Sequence, residues 1–243
     1  MAAVFRPDDH RLAEAVELLE SLGAIPVPDP MLAVEPTGAA PRADADYAVL
    51  TSTTGADLAA DAGWDPGTAI VCAIGSATAE GLRDAGYAVD LVPEEFSSTG
   101  LVEALAGDVD GARVEVARSD HGSDVLLDGL DAAGAYVHET VLYELVRPPG
   151  AGESAELAAE GALDAALFTS SLTVEHFLAA AEERGVRAAA VAGLGDAVVG
   201  AIGEPTRETA ESAGVAVDVV PGTATFEALA TAAVERAAPD CHD

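Results

Sequence analysis

The 243-residue chain contains no lysine. That absence removes a Schiff-base nucleophile and the phosphate-gripping lysine of Walker-type loops. All 11 basic residues are arginine and stand against 43 acidic ones, a formal net charge of −32. With no basic patch to neutralise phosphates, nucleic acid is not an expected partner. Cysteine is scarce too: Cys72 in an apolar run and Cys241 in the tail give neither a disulfide framework nor metal-ligand spacing. The histidines, His10, His121, His138, His176 and His242, also lack ligand spacing, so no metal is expected. No apolar run approaches the roughly 18 residues of a membrane span. Arg6, Asp8 and Asp9 interrupt the N-terminus before a signal-like apolar region forms, and a cytoplasmic, membrane-free location is expected.

What is present is a core. Half the residues are hydrophobic, too many for an acidic disordered chain. A lysine-free, alanine-rich, aromatic-poor and acidic composition suits a cytoplasm in molar salt, where a carboxylate-coated surface stays hydrated. An extreme halophile is the expected source.

The chain repeats itself. Ala69 to Pro93 reads as strand, helix, strand: an apolar run to Ile74, a break at Gly75 and Ser76, helical composition from Thr78, a stop at Gly86, and a strand from Ala88 to Val92. Val198 to Pro221 says the same thing again. Gly75/Gly203, Thr78/Thr206, Gly86/Gly214 and Pro93/Pro221 all stand 128 residues apart. The N-terminal unit is echoed as well: Ala2 to Phe5 (strand), a helix ending at Gly23 and Ala24 to Val27 (strand) match Arg113 to Ala117, a helix around Val125 to Leu130, and Ala135 to His138. Arg6 and Arg118 correspond. A third pair is Tyr47 to Leu50 followed by Ser52, and Ala165 to Phe168 followed by Ser170.

Five strands alternating with helices in each repeat predict an α/β chain of two flavodoxin-like, doubly wound parallel-sheet domains, internally duplicated. The stretches Glu35 to Asp44 and Arg147 to Ser154 have linker composition, whereas the junction between repeats is only a short turn. One domain is therefore expected to be inserted into the other: residues 1–36 with 150–243, residues 40–146 as the insert, and linkers at 36–46 and 143–156.

At this point the chain resembles the uroporphyrinogen-III synthase family. The residues that carry the resemblance are Leu50-Thr-Ser52, Ala73-Ile-Gly-Ser-Ala-Thr-Ala79, Val92-Pro-Glu-Glu-Phe-Ser-Ser98, Val141-Leu-Tyr143, Phe168-Thr-Ser170 and Ala201-Ile-Gly-Glu-Pro-Thr206. The resemblance implies a lyase of tetrapyrrole (porphyrin, haem, cobalamin) biosynthesis. Such an enzyme closes hydroxymethylbilane into uroporphyrinogen III, with loss of water and inversion of ring D, without cofactor and as a monomer. It also implies two lobes with the active site in the cleft between them.

Candidate site residues follow from the places where strands give way to helices. In a parallel sheet these turns share one edge, and each opens a helix whose first amides are unpaired and suit anions. Ser52, Thr53, Ser76, Thr78, Ser98, Ser119, Ser170, Ser171 and Thr206 put hydroxyls there as candidate substrate-binding groups, although serine and threonine are also the standard helix caps. Arg6 and Arg118 follow matched strand ends and can fork onto carboxylates, or pair with the adjacent Asp8, Asp9 and Asp120. By resemblance Tyr143 is the candidate catalytic acid, its other reading being a strand anchor. The alternative in another class is a non-catalytic, two-lobed module that binds small anions.

Overall fold

The computed structural model describes residues 1–238, so Cys241 and His242 lie outside the described residues. In chain order the first repeat contributes β1 (Ala2–Phe5), α1 (His10–Ser21), β2 (Pro26–Pro28), β3 (Ala33–Pro36), β4 (Tyr47–Leu50), α2 (Thr53–Asp61), β5 (Ile70–Ala73), α3 (Ser76–Asp84) and α4 (Ser98–Leu105). The second contributes β6 (Arg113–Ser119), α5 (Asp124–Ala132), β7 (Tyr136–Val146), α6 (Glu153–Ala159), β8 (Ala165–Phe168), α7 (Ser171–Glu183), α8 (Arg187–Leu194), β9 (Val198–Ala201), α9 (Glu204–Ser212) and α10 (Phe226–Ala237).

These elements sort into two compact units, Met1–Ala33 with Val146–Asp243, and Val34–Leu145. The first unit holds a sheet of order β2-β1-β8-β9 and the second one of order β3-β7-β6-β4-β5. Both sheets are hybrids: β1 pairs in parallel with β8, Ala2 opposite Ala165, and β4 with β6, Tyr47 opposite Val114. Each sheet joins the opening strands of one repeat to the later strands of the other.

Alternation along the strands explains the layers. In the second unit Ala48 and Leu50 face Ala56, Ala59, Ala79 and Leu82 of α2 and α3, while Val49 faces Leu101, Leu105, Leu126 and Leu130 of α4 and α5. In the first unit Ala2 and Val4 pack on α1 and α10 through Leu19 and Leu229, and Ala3 and Phe5 pack on the other helices through Phe177 and Leu194. Both faces of each sheet are covered, as a parallel sheet requires. Each fully buried leucine contributes about 1.5–3 kcal/mol. Cys72 is part of this interior, and burial pushes its thiol up to about 12.

Several elements differ from expectation, for local reasons. The expected strand at 88–92 shrinks to one bridge, Cys72 with Leu91, and its counterpart to Gly200 with Val219. There the Asp90 carboxylate accepts the Val71 N–H at 2.8 Å and the Asp218 carboxylate accepts that of Val199 at 3.0 Å. A side chain takes one amide that a longer ladder would have paired, and only a few main-chain bonds remain beside it, such as Asp90 N–H to the Val71 carbonyl at 2.9 Å and Asp218 N–H to that of Val199 at 2.8 Å. The expected strand at 24–27 moves to Pro26–Pro28, at the sheet edge where proline is tolerated.

The linker stretches contain structure too. Residues 33–36 form β3, beside β7, and Thr37 continues the attachment through its N–H and Oγ1 to the Leu142 and Val141 carbonyls. Residues 143–146 belong to β7, which runs far beyond the expected 135–138, and residues 153–156 open α6. The helix α6 starts at Gly152 in the left-handed region (φ 108°), with no cap from its own side chain. The cap comes from Asp29, 3% exposed, whose carboxylate accepts the Gly152 N–H at 2.8 Å, the Ser154 N–H at 2.9 Å and the Ser154 hydroxyl.

Asp29→Ala therefore leaves three buried donors unpaired. It is expected to destabilise the first unit by about 2–4 kcal/mol, and urea unfolding followed by circular dichroism measures the loss.

Candidate functional site

The C-terminal strand edge of the second unit gathers hydroxyls because a serine follows or caps nearly every element there. Ser52 is the N-cap of α2, its Oγ accepting the Gly55 N–H at 2.9 Å. Ser97 caps α4 in the same manner, leaving Ser98 as the first helical residue. Ser119 ends β6, and Tyr143 comes in from β7 beside it.

A register shift brings Tyr143 there. Along the β6–β7 ladder Arg118 lies opposite Val141, yet Ser119 lies opposite Tyr143, so Leu142 is an extra residue in β7. Bulges of this kind re-aim the side chains that follow them. Leu142 turns into the core and the Tyr143 hydroxyl reaches Ser52 Oγ at 2.9 Å. Ser52 Oγ accepts both Tyr143 and Gly55, so one proton of the hydroxyl pair remains for a third acceptor.

Ser52, Ser98, Arg118, Ser119 and Tyr143 line one pocket of about 190 Å³, together with Thr51, Ile74, Gly122, Ser123 and Leu126. Five of the residues expected from the sequence thus come together. Thr53, Ser76 and Thr78 sit on the same strand edge outside that pocket. Ser123, the N-cap of α5, is not among the expected residues, although Gly-Ser before the apolar run Val125-Leu-Leu127 is a legible helix start.

Arg118 is held rather than free. Its side chain is 4% exposed; Nε donates to Glu139 Oε1 at 2.5 Å, Nη1 to the Ser123 carbonyl at 2.6 Å, and Nη2 lies 3.6 Å from Asp124. A Cβ at position 122 would collide with Arg118 Cδ, so Gly122 is the space the arginine occupies. The local ion pair has prevailed, through Glu139 and Asp124 and not the expected Asp120, whose carboxylate accepts the Leu145 N–H. With Arg118 so paired, the amides at the helix starts are the donors left to meet an anion here.

The two repeated Gly motifs supply such amides openly. Gly75 and Gly203 are the N-caps of α3 and α9, and neither cap has a side-chain bond. The first helical bonds run from Ala79 to Gly75 at 3.0 Å and from Arg207 to Gly203 at 3.1 Å. Thr78 and Thr206, each 4% exposed, lie in these first turns without serving as caps. Plain capping accounts for Ser52 and Ser170 and not for these two threonines.

In the first unit, Ser170 caps α7 through a reciprocal capping box with Thr173. Ser171 Oγ donates to the Pro205 carbonyl and accepts from Thr209, tying α7 to α9. Arg6 differs from Arg118. Among the described residues no carboxylate pairs with it, since Asp9 is taken by Arg11, and its guanidinium lies 4.8 Å from the Phe226 ring centre. Burial, and then Arg11, lower its pKa, which leaves it a cation at any physiological pH. Of the histidines, His138 meets Glu115 at 2.7 Å, His176 the Met31 carbonyl at 2.5 Å and His121 Asp120 at 2.9 Å. The described residues hold no group of three or more potential metal ligands.

Two parallel doubly wound sheets, an exchange of strands between repeats, and hydroxyls with open amides at the strand ends define a duplicated α/β protein suited to a small anionic ligand. Residues 13–231 match the family described as Uroporphyrinogen-III synthase HemD. A protein of Methanothermobacter thermautotrophicus provisionally named a uroporphyrinogen-III synthase is 33% identical over 88% of this chain and 89% of its own. The chain belongs to the uroporphyrinogen-III synthase family. Two solved structures share the fold. A mutant uroporphyrinogen III synthase from the extremely thermophilic bacterium Thermus thermophilus has a TM-score of 0.68 at 20% identity, with 98% of each chain covered. The uroporphyrinogen-III synthetase of Helicobacter pylori 26695 has a TM-score of 0.61 at 15% identity, covering 88% of this chain and 93% of that one.

Because Arg118 closes three polar contacts, Arg118→Ala is expected to lower stability by about 1–3 kcal/mol. Urea midpoints of the variant and the parent chain check this, and an unchanged midpoint would remove the structural assignment.

Proposed function

We propose that this chain converts hydroxymethylbilane to uroporphyrinogen III, acting as a cofactor-free cyclodehydrating lyase of tetrapyrrole biosynthesis. The observation that carries the reading, beside family membership, is the Tyr143–Ser52 hydroxyl pair in a pocket of serines and helix amides. Tyr143 acts as the acid. The C–O bond of the terminal hydroxymethyl group breaks as the pyrrole nitrogen lone pair moves in, and the departing oxygen takes the phenol proton and leaves as water, while the Ser52 hydroxyl turns its own proton toward the phenolate oxygen. The azafulvene left behind is attacked by the substituted carbon of ring D, giving a spiro intermediate. Cleavage of the original bridge to that carbon and closure at the free position invert the ring. Loss of the proton from the newly bonded carbon restores aromaticity and can return the proton to Tyr143.

Hydroxymethylbilane also closes unaided without inversion, so the protein's larger task is to hold one folded conformer. Ser98, Ser119, Ser76 and Thr78 in the second unit, and Arg6, Ser170, Ser171 and Thr206 in the first, are the proposed carboxylate partners, with Thr53 at the rim. Arg118 acts by fixing the loop at Gly122 and Ser123. A net charge of −32 is compatible with an octa-anionic substrate where salt is molar, because the screening length there is about 3 Å. The proposed setting is accordingly a salt-rich cytoplasm, with the protein a monomer without nucleic-acid or membrane partners. Among the described residues no helix is long and apolar enough to cross a membrane.

Fresh hydroxymethylbilane mixed with the protein in high salt is expected to give predominantly type III porphyrin after oxidation, resolved by chromatography. Type I alone, from a folded sample, would sink the reading. Tyr143→Phe is expected to slow turnover by about ten- to a hundredfold with the inverted isomer retained. An unchanged rate would remove the acid role and leave the tyrosine as a strand anchor.

A further inference from the structure

We infer that Phe96 is the aromatic face on which one pyrrole ring of the substrate stacks, an assignment that rests on the synthase reading above. Phe96 is 61% exposed in a chain with few aromatics. Of the other large exposed apolar residues, Ile25, Val34, Ile70 and Tyr136 lie at or near the N-terminal ends of strands, and Val125, in the first turn of α5 beside the pocket residues Ser123 and Leu126, is aliphatic. Phe96 lies on the pocket side. Its Cβ and Cγ would stand 3.3 Å from a Cβ at Gly75, and the flanking residues Ile74 and Ser98 both line the pocket.

The exposed ring is carried on a tightly fixed loop. The Ser97 N–H donates to the Glu95 carbonyl at 2.8 Å, and Ser97 Oγ donates to Glu95 Oε1 at 2.8 Å. A Cβ at Gly100 would collide with the Glu95 carbonyl oxygen, so the loop lies directly on the first turn of α4. Gly75 meets Phe96 itself and Gly100 meets Glu95 beside it, so the backbone that carries the phenyl is packed on both sides. Such fixing lowers the ordering cost of binding.

The duplication supplies the control. Ser97 and Thr225, 128 residues apart, are both helix N-caps, so position 96 corresponds to Ala224. The same fold is built in the second repeat with a methyl group at that place. Phe96 is therefore not demanded by the architecture. Meanwhile the pocket, at about 190 Å³, is smaller than the roughly 300–1,000 Å³ of ordinary small-molecule sites. It has room for one substituted pyrrole and not for four. The neighbouring rings must lie along its rim, where Phe96 offers an apolar face among carboxylate-binding hydroxyls. Offset or edge-on packing of two aromatic rings is favourable beyond the area it buries.

The test compares Phe96→Ala, Phe96→Leu and Phe96→Tyr with the parent chain for KM, kcat, the ratio of type III to type I product, and melting temperature. Phe96→Ala is expected to raise KM about three- to tenfold and increase the share of type I product, with the melting temperature unchanged. Phe96→Tyr is expected to restore both, and Phe96→Leu to fall between. The inference is overturned if Phe96→Ala matches the parent in KM and isomer ratio, if Phe96→Tyr is as impaired as Phe96→Ala, or if the loss tracks a lowered melting temperature. A parent chain that yields only type I product removes the synthase reading and this inference with it. A parent that yields type III beside an unaffected Phe96→Ala removes the inference alone.

Discussion

Everything in this molecule depends on two short parallel ladders, β1 against β8 and β4 against β6. Each is the seam along which material from one repeat is sewn to material from the other. Neither repeat contains a complete sheet of its own, so Ala2 to Phe5 find their inner neighbour only in a strand encoded about 160 residues later, Ala2 opposite Ala165. Once those ladders are set, the strand ends fall along one edge of each sheet, and the serines that cap helices become a lined surface.

The chemistry at that edge is quiet by design of its donors. Lysine is absent, Arg118 is neutralised by Glu139 and Asp124, and the hydroxyl of Tyr143 leans on Ser52. What remains to meet an anion is a set of backbone amides at helix starts, each worth a fraction of a kcal/mol to about 1 kcal/mol. Such a surface binds by number and placement and not by any single charge. A reaction whose substrate supplies its own reactivity suits a host of this kind, since orientation accounts for most of what is needed.

Much of this is legible from residues alone. The 128-residue offset between Gly75 and Gly203 announces two like sheets, and the serines after Leu50 and Phe168 announce caps at strand ends. Other features depend on tertiary partners that a local pattern cannot display. Asp90 and Asp218 sit inside strand-like runs, and only the neighbouring strand reveals that their carboxylates take one of its amides and cut the ladder short. The extra residue Leu142 is apolar like its neighbour Val141, so nothing in its type marks a bulge, yet that bulge decides where the Tyr143 hydroxyl lies. For Arg118 the sequence offers Asp120 as the ion-pair partner, because Glu139, 21 residues away, is brought to it only by sheet pairing. Nothing around Asp29 marks it as the cap of a helix 123 residues further on.

The exchange of strands also sets a timetable. All strands of the five-stranded sheet lie between Ala33 and Val146, so that sheet has its full set while the chain is still being made. The segment from Met1 to Ala33 has no such fortune. Its strand β1 must remain unpaired on one side until Ala165 to Phe168 emerges, and the loop that closes then is among the longest the chain contains. A sequence this acidic holds a layer of water on the waiting strand's surroundings, and that hydration keeps other copies from its open edge, so the same carboxylates that hydrate the finished surface also guard the unfinished one.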